Sequence, residues 1–296
     1  MASVKYELPE TRISWVVRDA FASPVRDCGF VEQVFEFRRG GGPFAYLKLI
    51  REIRRQRFDC VLEMQGLLRS AVLAAVARAP VKWGRRDGRE GSTLFYAKVP
   101  SSLKPKIAHA VDVLLAFKNA IGLEAKLTGE LRFPGASLTQ ENTAILNDVT
   151  RGGARPLVTL FPESRRSEKE WSKFAELAKQ LSATGDLAVA WAGAKIGGES
   201  IEDGIANLAG KTSLAELPAL IEHSAVVVAN DSAPLHYASA LERPVLGLFG
   251  PTDPRRFGPY PIHSSNACVL SAPAGDLVRL DVECVKKAVL ELLNGV

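Results

Sequence analysis

Four segments in the carboxyl-terminal half are apolar at nearly every position: PLVTLF (156–161), LAVAWAG (187–193), AVVVAN (225–230) and PVLGLFG (244–250). A strand that is apolar on both sides must be covered on both sides. That condition belongs to parallel sheets sandwiched between helices. Helical spacing duly appears beside and between them, in EKEWSKFAELAKQL (168–181), SLAELPALIEHS (213–224), APLHYASAL (233–241) and DVECVKKAVLELLN (281–294). Ser213 and Glu216 have the spacing of a capping box at one of these helix starts. The amino-terminal half alternates in the same way. Strands are expected at 12–17, 34–37, 59–66 and 81–86, and helices at 43–57, 67–79 and 106–122. Residues 123–156 read as a connector, with Ser137 and Gln140 at capping spacing and RGGARP as a breaker. In 296 residues this alternation predicts an α/β protein of two Rossmann-like domains, 1–150 and 151–296, facing across a cleft. In such sheets ligands bind beyond the carboxyl ends of the strands.

The polar residues at those ends are therefore the candidates. After AVVVAN comes DSAPLH, 231–236. Asp231 or Ser232 can cap the next helix, with Pro234 in its first turn, leaving first-turn amides for an anion. His236 lies about one turn in. A plain capped helix with a histidine on its polar side is the competing reading. After PLVTLF comes PESRRSEKEW, where Ser164, Arg165, Arg166 and Lys169 crowd a helix start. Cations there oppose the helix dipole, which points to an anion between them; a solvated basic loop is the alternative. GPTDPRRFGPYP (250–261) reads as a rigid polar turn. In the first half, Glu63 and Gln65 end a strand and Arg69 opens a helix.

Other classes are excluded by what those loops lack. No G-x-G-x-x-G follows the first strand, and neither a G-K-[ST] P-loop nor a G-x-S-x-G elbow occurs. The four cysteines form no C-x-x-C pair and the four histidines no metal-ligand spacing. No apolar run reaches the roughly 18 residues of a membrane span, and the amino end lacks the build of a secretory signal. A net charge of +5, in basic clusters with few aromatics between them, suits phosphorylated small molecules or an acidic membrane surface better than a nucleic acid.

Together these stretches resemble glycosyltransferase family 9, the ADP-heptose:lipopolysaccharide heptosyltransferases. The similarity is carried by NDSAPLHYASALERPVLGLFGPTDP, by FPESRRSEKEWSKFAELA, and by DCVLEMQGLLRSAVLA, the last being most similar to the heptosyltransferase I branch. The resemblance implies a GT-B fold, with an acceptor-binding amino-terminal domain, a nucleotide-sugar-binding carboxyl-terminal domain and a closing helix that crosses back to the first. It implies an inverting transfer of heptose from an ADP-linked donor to the lipopolysaccharide inner core, with no metal and no cofactor. Ser164, Arg165, Lys169, Ser232, Ala233 and His236 match donor-phosphate positions. Asp231 would order its loop, because a carboxylate repels phosphate, and Glu199 would hold ribose hydroxyls. Gln65 and Arg69 would meet the acceptor. The expected partners are the donor, the core acceptor and a peripheral membrane contact, not nucleic acid. The expected location is the cytoplasm, at the inner face of the inner membrane. MASVKYELPETRISWVV matches the family only from the end of its first helix onward, so the family's first strand and Gly-Asp loop have no counterpart. Glu63 is then the nearest candidate for the missing base, and a nucleotide-sugar binder without turnover is the alternative function.

Overall fold

A computed structural model describes residues 1–194 and 204–295. The chain forms two compact units, Met1–Glu130 and Leu131–Val296. The division falls some twenty residues before the expected 150/151, because the helix at Gln140–Thr150 packs on the second unit's strands at 188–193 and 205–209.

The first unit runs α1 (Ala2–Glu7), β1 (Ser14–Arg18), α2 (Ala22–Asp27), β2 (Gln33–Phe37), α3 (Gly42–Arg54), β3 (Cys60–Glu63), α4 (Leu68–Val76), β4 (Val81–Gly84), β5 (Ala97–Lys98) and α5 (Ala110–Leu115). Its strands form two separate parallel sheets, β1–β2 and β3–β4–β5. Phe35, Leu49, Ile53, Leu73 and Ala77 make a common core for β2, α3 and α4, and Phe58 and Val61 of the second sheet's side pack against it. The helix expected over 106–122 is shorter. His109 is its N-cap, its ring accepting the Val111 amide at 3.1 Å, and the helix tightens into 3₁₀ turns over Ala116–Ile121. The buried Lys118 ties this region to α1: its ammonium donates to Glu7 and to the Lys126 carbonyl, each at 2.7 Å.

The second unit runs α6 (Gln140–Thr150), β6 (Leu157–Phe161), α7 (Phe174–Ser182), β7 (Ala188–Gly193), β8 (Ile205–Ala209), α8 (Leu217–His223), β9 (Val226–Asn230), α9 (Ala233–Ala240), β10 (Val245–Phe249), α10 (Pro254–Phe257), β11 (Ala267–Ser271) and α11 (Val282–Asn294). All six strands are parallel, in the order β11-β10-β9-β6-β7-β8. The two-residue period of a strand sends Val158, Leu160, Val226, Val228, Leu246 and Leu248 to one face. There they meet Trp171, Phe174 and Leu177, and Val282, Val285 and Val289 of α11. Leu157, Phe161, Val227, Ala229, Val245 and Phe249 face the other way, onto α6, α8 and α9. Each such side chain buried contributes about 1.5–3 kcal/mol, so the continuous apolar runs are what the three layers require.

The closing helix α11 packs on this unit's own sheet, because its apolar stripe belongs to that core. The N-cap of α6 is Thr139, whose hydroxyl accepts the Asn142 amide at 3.2 Å, and not Ser137. The edge strands β8 and β11 escape the sequence pattern because their outer positions are only half-buried. The pairing of Ser213 with Glu216 does form. Glu216 accepts the Ser213 amide and hydroxyl at 3.0 Å, while its own amide donates to Ser213 Oγ at 3.3 Å.

Glu216 does more than cap. It is buried and also accepts the Thr139 amide at 3.0 Å and the Asn142 side-chain amide at 2.8 Å, so it pins α6 to α8. Burial pushes its carboxyl upward, but these hydrogen bonds outweigh burial and hold its pKa below the ordinary value. A depressed folded-state pKa gives stability that is full above the unfolded value and lost as pH falls through the folded one. Urea melts between about pH 6 and pH 3 are therefore expected to show an acid-side loss of stability that Glu216→Gln flattens. Parallel curves for the two proteins would remove Glu216 from the acid transition.

Candidate donor site

Chain order reverses at the middle of the six-stranded sheet. From β6 the chain moves outward through β7 and β8, then returns to β9 on the other side of β6. The loops after β6 and β9 must therefore diverge from neighbouring strand ends, and the gap between them is where this sheet class takes its ligand.

Asn230, the last residue of β9, is fully buried and ties the two loops together. Its side-chain amide donates to the Pro162 carbonyl at 2.7 Å, and its oxygen accepts the Trp171 amide at 3.2 Å. The next residue, Asp231, accepts from Lys169 Nζ at 2.6 Å and from Thr252 Oγ1 at 2.7 Å. The Lys169 and Asp231 side chains are 17% and 8% exposed, so this pair is largely withdrawn from water. Three loops, from β6, β9 and β10, thus converge on one carboxylate. Asp231 joins the three loops and holds Lys169 at the switch point.

Ser232 is the N-cap of α9 by backbone conformation, yet its hydroxyl makes no capping bond. Ser232 Oγ is shielded from solvent and has no partner among the described residues. Pro234 in the first turn offers no N–H, which leaves the early amides of α9 and this hydroxyl as the donors there. Ala233 and His236 are exposed on that turn. Ser164 donates its amide to Glu170 at 2.9 Å, closing the basic loop on itself, and Arg165 extends into solvent.

The basic loop departs from the sequence reading in one respect. Its helix does not start at 168: Ser167–Lys169 is an isolated 3₁₀ turn, Glu170 is extended, and α7 begins at Phe174. Lys169 is therefore held by its ion pair and not set against a helix dipole. Trp171, which fixes the following segment, is buried and donates its indole N–H to the Leu280 carbonyl at 3.1 Å.

Sequence reasoning singled out neither Thr252, Asn230 nor Glu163. Glu163 folds over the end of β7 and accepts the Ala194 amide at 3.0 Å. Gly193 permits this, since a Cβ there would lie 2.6 Å from the Glu163 carboxylate. The usable signal was position: each follows or ends an all-apolar strand. Glu199 lies outside the described residues.

In the first unit, Glu63 is 4% exposed, and its carboxylate accepts the Gln65 amide at 3.1 Å and the Gly66 amide at 2.9 Å. Both its oxygens are engaged with its own loop, a positioning part and not that of a base open to substrate. Gln65 and Arg69 are exposed beside it. Tyr46 donates to the Arg69 carbonyl at 2.6 Å, and the Arg69 guanidinium lies 5.9 Å from the Phe37 ring centre. Among the described residues no cluster of histidine, cysteine, aspartate or glutamate is arranged to hold a metal ion, and no helix is long and apolar enough to cross a membrane.

Known proteins resemble this chain in sequence and in fold. The family model for glycosyltransferase family 9 (heptosyltransferase) matches residues 46–289. The lipopolysaccharide core heptosyltransferase OpsX of Haemophilus influenzae is 27% identical over 85% of this chain and 74% of its own length. Lipopolysaccharide heptosyltransferase 2 of Salmonella typhimurium is 29% identical over 70% of this chain and 64% of its own. The structure of the E. coli heptosyltransferase WaaC with ADP superposes with a TM-score of 0.77 at 22% identity, covering 98% of this chain and 93% of that one. The fold is thus the expected GT-B class of α/β protein, and with most of its length matched by the family model, the chain belongs to glycosyltransferase family 9, the heptosyltransferases.

Proposed function

We propose that this glycosyltransferase moves a heptose from an ADP-activated donor to the inner core of lipopolysaccharide, with inversion and without a metal. The observation that carries the reading is the junction of Lys169, Asp231 and the start of α9 at the switch point of the second unit's sheet. The donor's diphosphate lies there, between the Lys169 ammonium, Arg165, the Ser164 loop, Ser232 Oγ and the first-turn amides of α9. As the acceptor hydroxyl attacks the anomeric carbon in line, the bond to the diphosphate oxygen breaks and negative charge grows on the leaving group. Preorganised donors in a partly dry site stabilise that charge as it forms. The first unit, Met1–Glu130, carries the acceptor side, with Gln65 and Arg69 as its contacts. Glu199 is assigned the donor ribose. A core acceptor anchored in a bilayer places the reaction at the cytoplasmic face of the inner membrane.

Incubation with ADP-heptose and heptose-free lipopolysaccharide, read by mass spectrometry, tests the reading. The expected result is one added heptosyl unit and stoichiometric ADP. ADP binding without transfer would sink the transferase and support a nucleotide-sugar binder. The His236→Ala variant is expected to weaken ADP binding roughly tenfold by calorimetry, the scale of one charge-assisted hydrogen bond. Unchanged affinity would remove His236 from the site.

A further inference from the structure

Helix α3 presents two unlike faces. Leu49 and Ile53 are each 3% exposed and belong to the first unit's core. On the other side Phe44, Lys48, Arg51 and Arg55 follow one another at helical spacing, with Leu47 and Arg54 beside them. At 100° per residue these six occupy one arc of about 120°. All six are exposed. Phe44 is 85% exposed and Leu47 46%, at the helix's amino end, while the cations fill the rest of the arc. The run Arg38–Pro43 that leads into the helix is exposed throughout.

The charge is local. Residues 38–57 hold seven cations and one anion, more than the chain's whole net charge of +5, so the remainder of the molecule is slightly acidic. That one anion, Glu52, lies at the edge of the arc, 3.9 Å from Lys48. A bare phenylalanine and leucine at the end of a cationic face have no use for a purely ionic partner. A nucleic acid would find a single aromatic ring and no row of stacking platforms. An anionic bilayer uses both components: apolar tips enter the boundary between headgroups and acyl chains, and long arginine stems lie over it with their charges at the phosphates.

We infer that the exposed face of α3, Phe44 and Leu47 with Lys48, Arg51, Arg54 and Arg55, docks the protein on an anionic phospholipid surface. Such a surface suits the transferase proposed above, on which its purpose rests, while the contact itself is read out without catalysis.

The test is co-sedimentation of the full chain with phosphatidylcholine vesicles and with mixed phosphatidylglycerol–phosphatidylcholine vesicles. Binding is expected only to the mixed vesicles, and to weaken with salt. Arg54→Ala with Arg55→Ala is expected to lower partitioning about thirtyfold. Phe44→Ala is expected to lower it roughly tenfold. A Phe44→Trp variant should gain fluorescence that brominated lipids quench. No sedimentation with the mixed vesicles overturns the inference. So does binding that ignores both substitutions, or binding that needs the arginines but leaves Phe44→Trp unquenched, which is adsorption by charge alone. Turnover on a delipidated, water-soluble acceptor is expected to match the parent in every variant. Vesicle binding without turnover would sink the transferase reading and leave the surface standing; turnover without vesicle binding would do the reverse.

Discussion

Replacing Lys169 by methionine is expected to lower kcat/KM for the nucleotide-sugar donor by about 10²–10³, the usual cost of removing one preorganised charge partner from a leaving group. The ammonium is held 2.6 Å from Asp231 in a site where both side chains are mostly buried, so its position is fixed before donor binds. Asp231 itself is anchored by the Thr252 hydroxyl at 2.7 Å, and that second bond keeps the loop in place once the lysine is gone. The variant should therefore fold. Lys169→Arg, which keeps the charge but not the reach, should recover part of the loss. Steady-state kinetics with varied donor decides the matter. A loss confined to the acceptor's KM would move Lys169 out of the proposed diphosphate site.

Asn230→Ala acts on the same place through the fold. Its side chain is the bridge between the loop after β6 and the end of β9, and it satisfies two backbone groups, the Pro162 carbonyl and the Trp171 amide. Asn230 has no exposed surface, so water does not easily replace it. Leaving a buried donor or acceptor unpaired costs about 1–3 kcal/mol, and two such groups give an expected destabilisation of about 2–6 kcal/mol in urea melts. Asn230→Asp should do better than alanine toward the Trp171 amide and worse toward the Pro162 carbonyl, which a carboxylate repels. A melt unchanged by the alanine substitution would mean that the two loops do not depend on this bridge.

Much of the scaffold could be read without coordinates. The runs VVVAN and VLGLF are apolar on both sides, and with helical patterns between them they call for a helix-covered parallel sheet. The polar loops at their carboxyl ends were equally visible, because little but a turn or a ligand calls for Asp-Ser-Ala-Pro after a buried strand. Other parts were not legible. The start of α7 was misread because Glu168 and Lys169 continue a helical pattern, while the Trp171 amide is claimed by Asn230 and the chain stays extended until Phe174. Glu63 was visible as a strand-end acid, but its engagement by the Gln65 and Gly66 amides was not.

The sequence alone determined the doubly covered strands, that helices cover them on both sides, and that their ends carry cations and helix starts; the edge strands β8 and β11 it left out. Periodicity and burial are local properties, written in each run of residues. The tertiary structure decided which ends meet. Lys169 and Asp231 stand 62 residues apart, and Thr252 a further 21, and they converge because β9 settles beside β6 and not beyond β8. Nothing in any single strand encodes that choice. Strand order is set by how two helical layers and six strands bury their apolar faces at once, and this long-range packing turns three separate polar loops into one site.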